Sequence, residues 1–272
     1  MEEKVILIEK DEERKITTIK MNRLKKKNAL NYALFEGIKN AIEEIEVSDT
    51  RVVVITGGGD SFSAGIDLKT LTGQDPGVTR KTPLKPPNFR FWLNSYLQPI
   101  YNRIEQMEKP IIAKINGFCF GAAFELALAC DFRFAIETAK MNMVESRIGL
   151  ISDIGGTTRL VRLVGIPVAK DIMMTGRTFD ANEAYQMGLL KGVAKTPDEL
   201  DKMGSDSADE LIEAAPLAVG LAKRFIDHAY GKHLEHNTFL EGLINSQLIH
   251  SKDFASGAVA RLQKKKPKWR GK

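Results

Sequence analysis

The segment GGGDSFSAGIDL, residues 57–68, follows directly on the β-branched run RVVVITG, residues 51–57. A run of that composition reads as a strand buried on both faces, and the glycines end it. A second junction has the same design: PIIAKING, residues 110–117, runs into FCFGAAFELALACD, residues 118–131. Each strand gives way to a turn of small residues and then to a helix start. A helix N-terminus leaves backbone N–H groups unpaired, and Gly and Ala let a ligand atom approach the backbone closely. Two such ends, brought together, aim two donors at one point. That arrangement stabilises negative charge growing on a carbonyl oxygen.

Outward from these junctions, KVILIE (4–9) and KITTIKM (15–21) read as strands joined by a turn at DEER (11–14). NYALFEGIKNAIEEIEVS (31–48) carries Leu34, Ile38, Ile42 and Ile45 at helical spacing. Residues 72–88 hold four prolines and read as a long loop. FRFWLNSYLQPIYNRIEQMEK (89–109) reads as a helix that Pro99 must end or kink. DFRFAI (131–136) returns to strand. From Gly156 onward helices dominate, with Gly165, Gly176 and Gly188 closing three short ones and LLKGVA (189–194) as a last strand. Strand–helix alternation followed by helices gives an α/β core over residues 1–193 and a helical C-terminal region over 194–272.

The net charge is +5, and the clusters Lys25–Lys27 and Lys264–Lys266 contribute much of it. Such clusters suit nucleic acid, a membrane surface or a phosphorylated small molecule, and equally a plain solvated surface. Cys119 and Cys130 form no disulfide framework and fit a reducing compartment. The N-terminal residues are charged and mixed in sign, unlike a signal or transit peptide, and no apolar run is long enough to span a bilayer. The expectation is a soluble, cytoplasmic protein. His233 and His236 are three apart, but no further ligands accompany them, so no metal site is expected. Neither a P-loop nor a dinucleotide fingerprint is present.

Through MNRLKKKNALN, FSAGIDL, INGFCFGAAFELALACDFRFA, MVESRIGL, GGTTRLVRLVG and MTGRTFDANEAYQMGLL, the chain resembles the crotonase superfamily, the enoyl-CoA hydratase/isomerase family, over nearly its whole length. The resemblance implies a ClpP/crotonase-like spiral of repeated ββα units, with C-terminal helices that build a trimer or a dimer of trimers. It implies an acyl-CoA substrate and no cofactor beyond the CoA moiety of that substrate; no membrane partner is expected, and a nucleic-acid partner is disfavoured because a binding module has no need of buried carboxylates. The backbone N–H groups of Ile66 and Ala122 would form the oxyanion hole. Lys26, Ala29, Ser63, Ala64, Asp67, Leu68 and Gly121 would contact CoA or substrate.

Three acids complete the expected site. Glu125 stands in the apolar run AAFELALA, where a bare carboxyl is costly, and matches the hydratase glutamate that activates water. Glu145 matches the glutamate that exchanges a proton with the α-carbon. Asp153, eight positions on, stands where dienoyl-CoA isomerases carry an aspartate; it could instead cap the helix beginning near Gly155. The resemblance therefore favours hydration of a trans-2-enoyl-CoA. The alternatives are isomerisation of a 3,5-dienoyl-CoA through Glu145 and Asp153, and, from another class, a basic non-catalytic RNA-binding module.

Overall fold

The computed structural model describes residues 4–75 and 86–272. β1 (Ile6–Asp11) and β2 (Ile16–Met21) form an antiparallel hairpin. α1 (Tyr32–Val47) follows; the Asn31 side chain caps it by accepting from the Leu34 N–H, and its apolar stripe is buried. The chain then repeats one pattern. β3 (Val52–Gly57) leads to β4 (Ser61–Ser63) and α2 (Leu68–Leu71). α3 (Pro86–Trp92) and α4 (Gln98–Gln106) intervene. β5 (Ile111–Ile115) leads to β6 (Phe118–Phe120) and α5 (Ala122–Leu128). β7 (Phe132–Ile136) leads to β8 (Lys140–Asn142), a 3₁₀ turn (Val144–Ile148) and α6 (Gly156–Thr175). β9 (Phe179–Asp180), α7 (Ala181–Gln186) and β10 (Gly192–Ala194) close the core. The helices α8 (Pro197–Ile212), α9 (Pro216–Ala229), α10 (Leu234–Leu248) and α11 (Lys252–Leu262) follow.

The first strand of each repeat joins a large sheet, in the order β1-β2-β3-β5-β7-β10; the second joins a small one, in the order β4-β6-β8-β9. Beyond the β1–β2 hairpin the large-sheet pairings are parallel. This is the expected spiral of ββα units. Both faces of the large sheet are covered, which explains why β3 reads as an unbroken apolar run. Val53 and Ile55 face the main core with α1 and α5, while Val52 and Val54 face Leu200 and Ala208 of α8. α8, placed by sequence in the C-terminal region, therefore covers one face of this sheet.

Several details differ from the sequence reading. β4, β6 and β8 are three residues each, too short to leave a periodic signal, so each large-sheet strand reaches its helix through a second strand rather than through a turn alone. The helix is interrupted next to Pro99, as expected, and the interruption takes the form of a change in hydrogen-bond pattern. A π-turn (Leu93–Leu97) joins α3 to α4, and the Gln98 N–H bonds back to Leu93 O, five residues earlier. Proline cannot donate an i→i−4 bond, and Pro99 sits in the first turn of α4, where no such bond is required. Of the expected loop over 72–88, residues 76–85 lie outside the described residues, and 86–88 are helical. α11 was not anticipated. Its Asp253 is buried and accepts from the N–H groups of Arg270 and Gly271, folding the basic C-terminal tail back onto the body. Among the described residues no helix is long and apolar enough to cross a membrane.

Candidate active site

Because β4 and β6 are parallel neighbours in the small sheet, the two junctions at their C-terminal ends are brought together. Gly65 has φ +91°, and a Cβ built there would lie 2.6 Å from the Phe120 carbonyl oxygen, so the first loop rests directly on the strand leading to Ala122. The first loop is held from its other side by residues 27–30. Ala64 N–H donates to Lys27 O, Leu30 N–H to Gly65 O, and Asp67 N–H to Leu30 O. These bonds engage the peptides on either side of Ile66, so its own N–H points away from Leu30. Ala122 is the first residue of α5, where the N–H has no intrahelical partner. Among the described residues neither N–H meets an acceptor.

The other expected ligand contacts flank this point. Asn28, fully buried, donates to Gly58 O and Ser61 O and ties the Lys26–Ala29 segment to the first junction. Lys26 is exposed. Lys27 Nζ lies 4.5 Å over the Phe118 ring. Arg23 bridges Ala29 O and Asp67 Oδ2, and Asp67 also caps α2 by accepting from Lys69 N–H. Ser63 is buried and its hydroxyl accepts from Gly65 N–H, so Ser63 and Asp67 shape the loop, whereas Ala64 and Leu68 stand on its exposed side.

The three acids converge on the second junction. Glu125 is 1% exposed, and its Oε2 accepts from the N–H groups of Ile154 (3.0 Å) and Gly156 (2.7 Å). Glycine at 156 is required by space: a Cβ would fall 2.5 Å from Glu125 Cγ. Burial, then the nearby Glu145 charge, pushes the Glu125 carboxyl up to about 8 against the pull of those two N–H groups. Glu145, on the 3₁₀ turn, lies against Gly121, whose Cβ would meet Glu145 Oε1 at 2.9 Å. Burial raises its pKa too, and the Asp153 charge adds to the rise. The neighbouring Ser152 hydroxyl tempers that rise but falls short of hydrogen-bond geometry: Glu145 Oε2 and Ser152 Oγ are both buried with no protein partner among the described residues. Unpaired buried groups are costly to keep and recur where chemistry is done. Burial holds Asp153 up at about 6. Asp153 is not the helix cap: Gly155 is the N-cap of α6, and the carboxyl that bonds the first N–H of that helix, Gly156, is that of Glu125. Ser152, Arg159 and the α4 residues Gln98 and Tyr101 were not singled out from sequence. As polar residues within otherwise ordinary loop and helix patterns they carry no local signal.

A spiral of ββα units with two unpaired backbone donors beside buried, clustered carboxyls describes a class of thioester-handling enzymes. The family model for enoyl-CoA hydratase/isomerase matches residues 11–272, and the chain belongs to that family. The short-chain-enoyl-CoA hydratase of Clostridium acetobutylicum is 32% identical over 268 residues, covering 98% of this chain and 97% of that protein. The crotonyl-CoA hydratase of Syntrophomonas wolfei is 32% identical over 263 residues, covering 96% of each. The crystal structure of an enoyl-CoA hydratase from Bacillus anthracis superposes with a TM-score of 0.88 at 32% identity, covering 98% of this chain and all of that one.

Proposed function

We propose that the protein adds water to a trans-2-enoyl-CoA. The observation that carries this reading is the pair Glu125, buried, and Glu145, half-buried against Gly121, both with raised pKa beside the start of α5. The N–H groups of Ile66 and Ala122 receive the thioester oxygen. Glu125 takes a proton from water as the water oxygen bonds to the β-carbon. The π electrons move through the α-carbon onto the thioester oxygen, and the two N–H groups stabilise the resulting enolate. Glu145 then delivers a proton to the α-carbon, giving a 3-hydroxyacyl-CoA, and a proton passes from Glu125 back to Glu145 to reset the pair. Both acids must work near neutral pH, and burial brings their pKa values toward it. Proton transfer and polarisation suffice, so the reading calls for no cofactor beyond the substrate's CoA.

Isomerisation of a dienoyl-CoA and RNA binding are both less well supported. The Clostridium and Syntrophomonas relatives are hydratases, and Lys266 of the C-terminal cluster is engaged by Glu213. The reading extends to a homo-oligomer, a trimer or a dimer of trimers. α10 has no buried residue and exposes Phe239 and Leu243, one turn apart on the same side, an apolar patch suited to another subunit. The two buried free thiols fit the cytoplasm.

The test is a paired ultraviolet assay on the purified protein. Loss of conjugated-thioester absorbance with crotonyl-CoA, and no gain of dienoyl absorbance with a 3,5-dienoyl-CoA, is the expected result. The reverse pattern would transfer the activity to isomerisation through Glu145 and Asp153.

A further inference from the structure

One face of α4 touches both halves of the site. Gln98 Nε2 donates to Asp153 O at 2.7 Å. Tyr101, 1% exposed, donates its hydroxyl to Ala122 O at 3.0 Å. Asn102 Oδ1 and Glu105 Oε2 receive the Arg159 guanidinium at 2.8 and 2.7 Å, and that guanidinium also donates to Ile154 O at 2.9 Å. Residues 98, 101, 102 and 105 are spaced so as to share a single helical face. Arg159 is 4% exposed and wedged so tightly under the loop that a Cβ on Gly155 would lie 2.2 Å from its Nη1.

The contacts fall into two groups with different consequences. The bonds to Asp153 O and, through Arg159, to Ile154 O pin the backbone of residues 153–156. The N–H groups of Ile154 and Gly156 in that same backbone hold Glu125 Oε2. The Tyr101 bond pins the first residue of α5, whose N–H is the second donor of the oxyanion pair. The π-turn bears on this arrangement. A π-turn adds one residue to the helix and rotates the residues C-terminal to it by about 100°. In the register that follows the π-turn, Gln98, Tyr101 and Asn102 face the site, and Ile100 and Ile104 are buried on the opposite side of α4.

We propose that Gln98 and Tyr101 are positioning residues through which α4 holds the acid/base loop and the oxyanion donor in one frame, Gln98 acting on Glu125 and Tyr101 on Ala122. Neither residue exchanges a proton with substrate. Each sets the orientation of a group that acts on it, and small errors in such orientation are expensive in rate.

Two single changes separate the arms, Tyr101→Phe and Gln98→Met, both in the full chain. Each variant is read in two ways: by steady-state hydration of crotonyl-CoA across pH, and by the infrared carbonyl stretch of bound butyryl-CoA labelled with carbon-13 at the thioester. Tyr101→Phe should lower kcat by about tenfold with KM nearly unchanged. It should also return the carbonyl stretch toward its free value and leave the pH profile in place. Gln98→Met should leave the stretch alone and move the limb governed by Glu125 upward, by about half a pH unit or more, as its two N–H bonds loosen. The proposal is overturned if both variants keep the parent's kcat, pH limb and carbonyl stretch. It is equally overturned if they lose melting temperature and total activity in step while limb and stretch stay fixed, because that is the signature of a merely structural contact. The kinetic arm rests on the hydratase reading, whereas the infrared arm needs only acyl-CoA binding. An inactive parent whose stretch responds to Tyr101→Phe would therefore remove the reading and keep the positioning role. Should Gln98→Met fail to fold, Tyr101→Phe decides alone.

Discussion

The first and second ββα units, β3–β4–α2 and β5–β6–α5, share an architecture and differ in what they carry. Both cross from the large sheet to the small one through a glycine-bearing turn, and both end at a helix start that offers one backbone N–H. In the first unit that helix is four residues long, Leu68 is 67% exposed, and the Asp67 side chain caps it. In the second every residue of the helix is buried, Glu125 included, and no side chain caps the N-terminus. At its C-terminal end the buried Arg133 donates to the carbonyls of Ala127, within the helix, and Cys130, just past it. The repeat thus supplies a donor twice, but of these two units only the one wrapped in the core holds a carboxyl whose pKa burial raises, up to about 8 at Glu125. The third unit adds Glu145 at an intermediate depth. Backbone chemistry comes from the shared fold, and proton chemistry comes from depth of burial.

The largest effect should come from removing what the second and third units add. Glu125→Gln and Glu145→Gln should each lower hydration by about 10³-fold, read as kcat/KM with crotonyl-CoA, while circular dichroism stays that of the parent. Glu125→Gln carries a second, opposite signature. The folded-state pKa, about 8, lies above the ordinary 4.5. The stability this carboxyl contributes is therefore fully present below the ordinary value and is lost as pH rises through 8. A glutamine cannot ionise, yet its oxygen still accepts from Ile154 and Gly156. The variant should match the parent in unfolding free energy at pH 4 and exceed it at pH 9, by on the order of 5 kcal/mol. A parent that stays as stable as the variant at pH 9 would mean that Glu125 ionises without penalty, and the contrast between the two units would lose its physical basis.

The same contrast explains what could be read from sequence. β3 and β5 were legible because burial on both faces writes an apolar run, broken in β5 only at Lys114, and Glu125 because a carboxyl within an apolar helix needs a reason. The resemblance to a known family supplied Glu145, Asp153 and the two donors, none of which spacing alone would have selected. β4, β6 and β8 were illegible because three residues hold no period. Pro99 pointed to an irregularity in the helix, but composition does not say that it takes the form of a π-turn just before the proline. Gln98 and Tyr101 look like the polar edge and the apolar stripe of any amphipathic helix until the Asp153 and Ala122 carbonyls are seen opposite them.

A smaller effect is expected in the first unit, and it should act through the backbone alone. Gly65→Ala places a side chain on a residue with φ +91° and drives its Cβ to within 2.6 Å of the Phe120 carbonyl oxygen. Neither atom belongs to a flexible side chain, so the loop itself must move, at a cost of about 3 kcal/mol. Moving it disturbs the pairing of Leu30 with Ile66 and swings the Ile66 N–H off its direction. Hydration should fall by about 10²-fold, with the pH profile of the parent, because no carboxyl has been touched. A shift of that profile would show that the two units are coupled through more than their shared target.

The smallest effect tests the second unit at the donor itself. Ala122 is the first residue of α5, and its N–H belongs to the backbone whatever the side chain. Ala122→Gly removes a methyl group that is 6% exposed, and in exchange loosens the helix start by about 1 kcal/mol or less. The donor stays, Tyr101 still holds the Ala122 carbonyl, and Gly121 still bonds to Asn142 O. Hydration should remain within about threefold of the parent. A glycine is thus indispensable before the donor in the first unit and optional at the donor in the second, since Gly65 meets backbone on its Cβ side and Ala122 stands at an ordinary helix start. If Ala122→Gly instead matched the loss of Gly65→Ala, the methyl group would be setting the position of the thioester oxygen. The second unit would then discriminate by shape at the point where the first only donates.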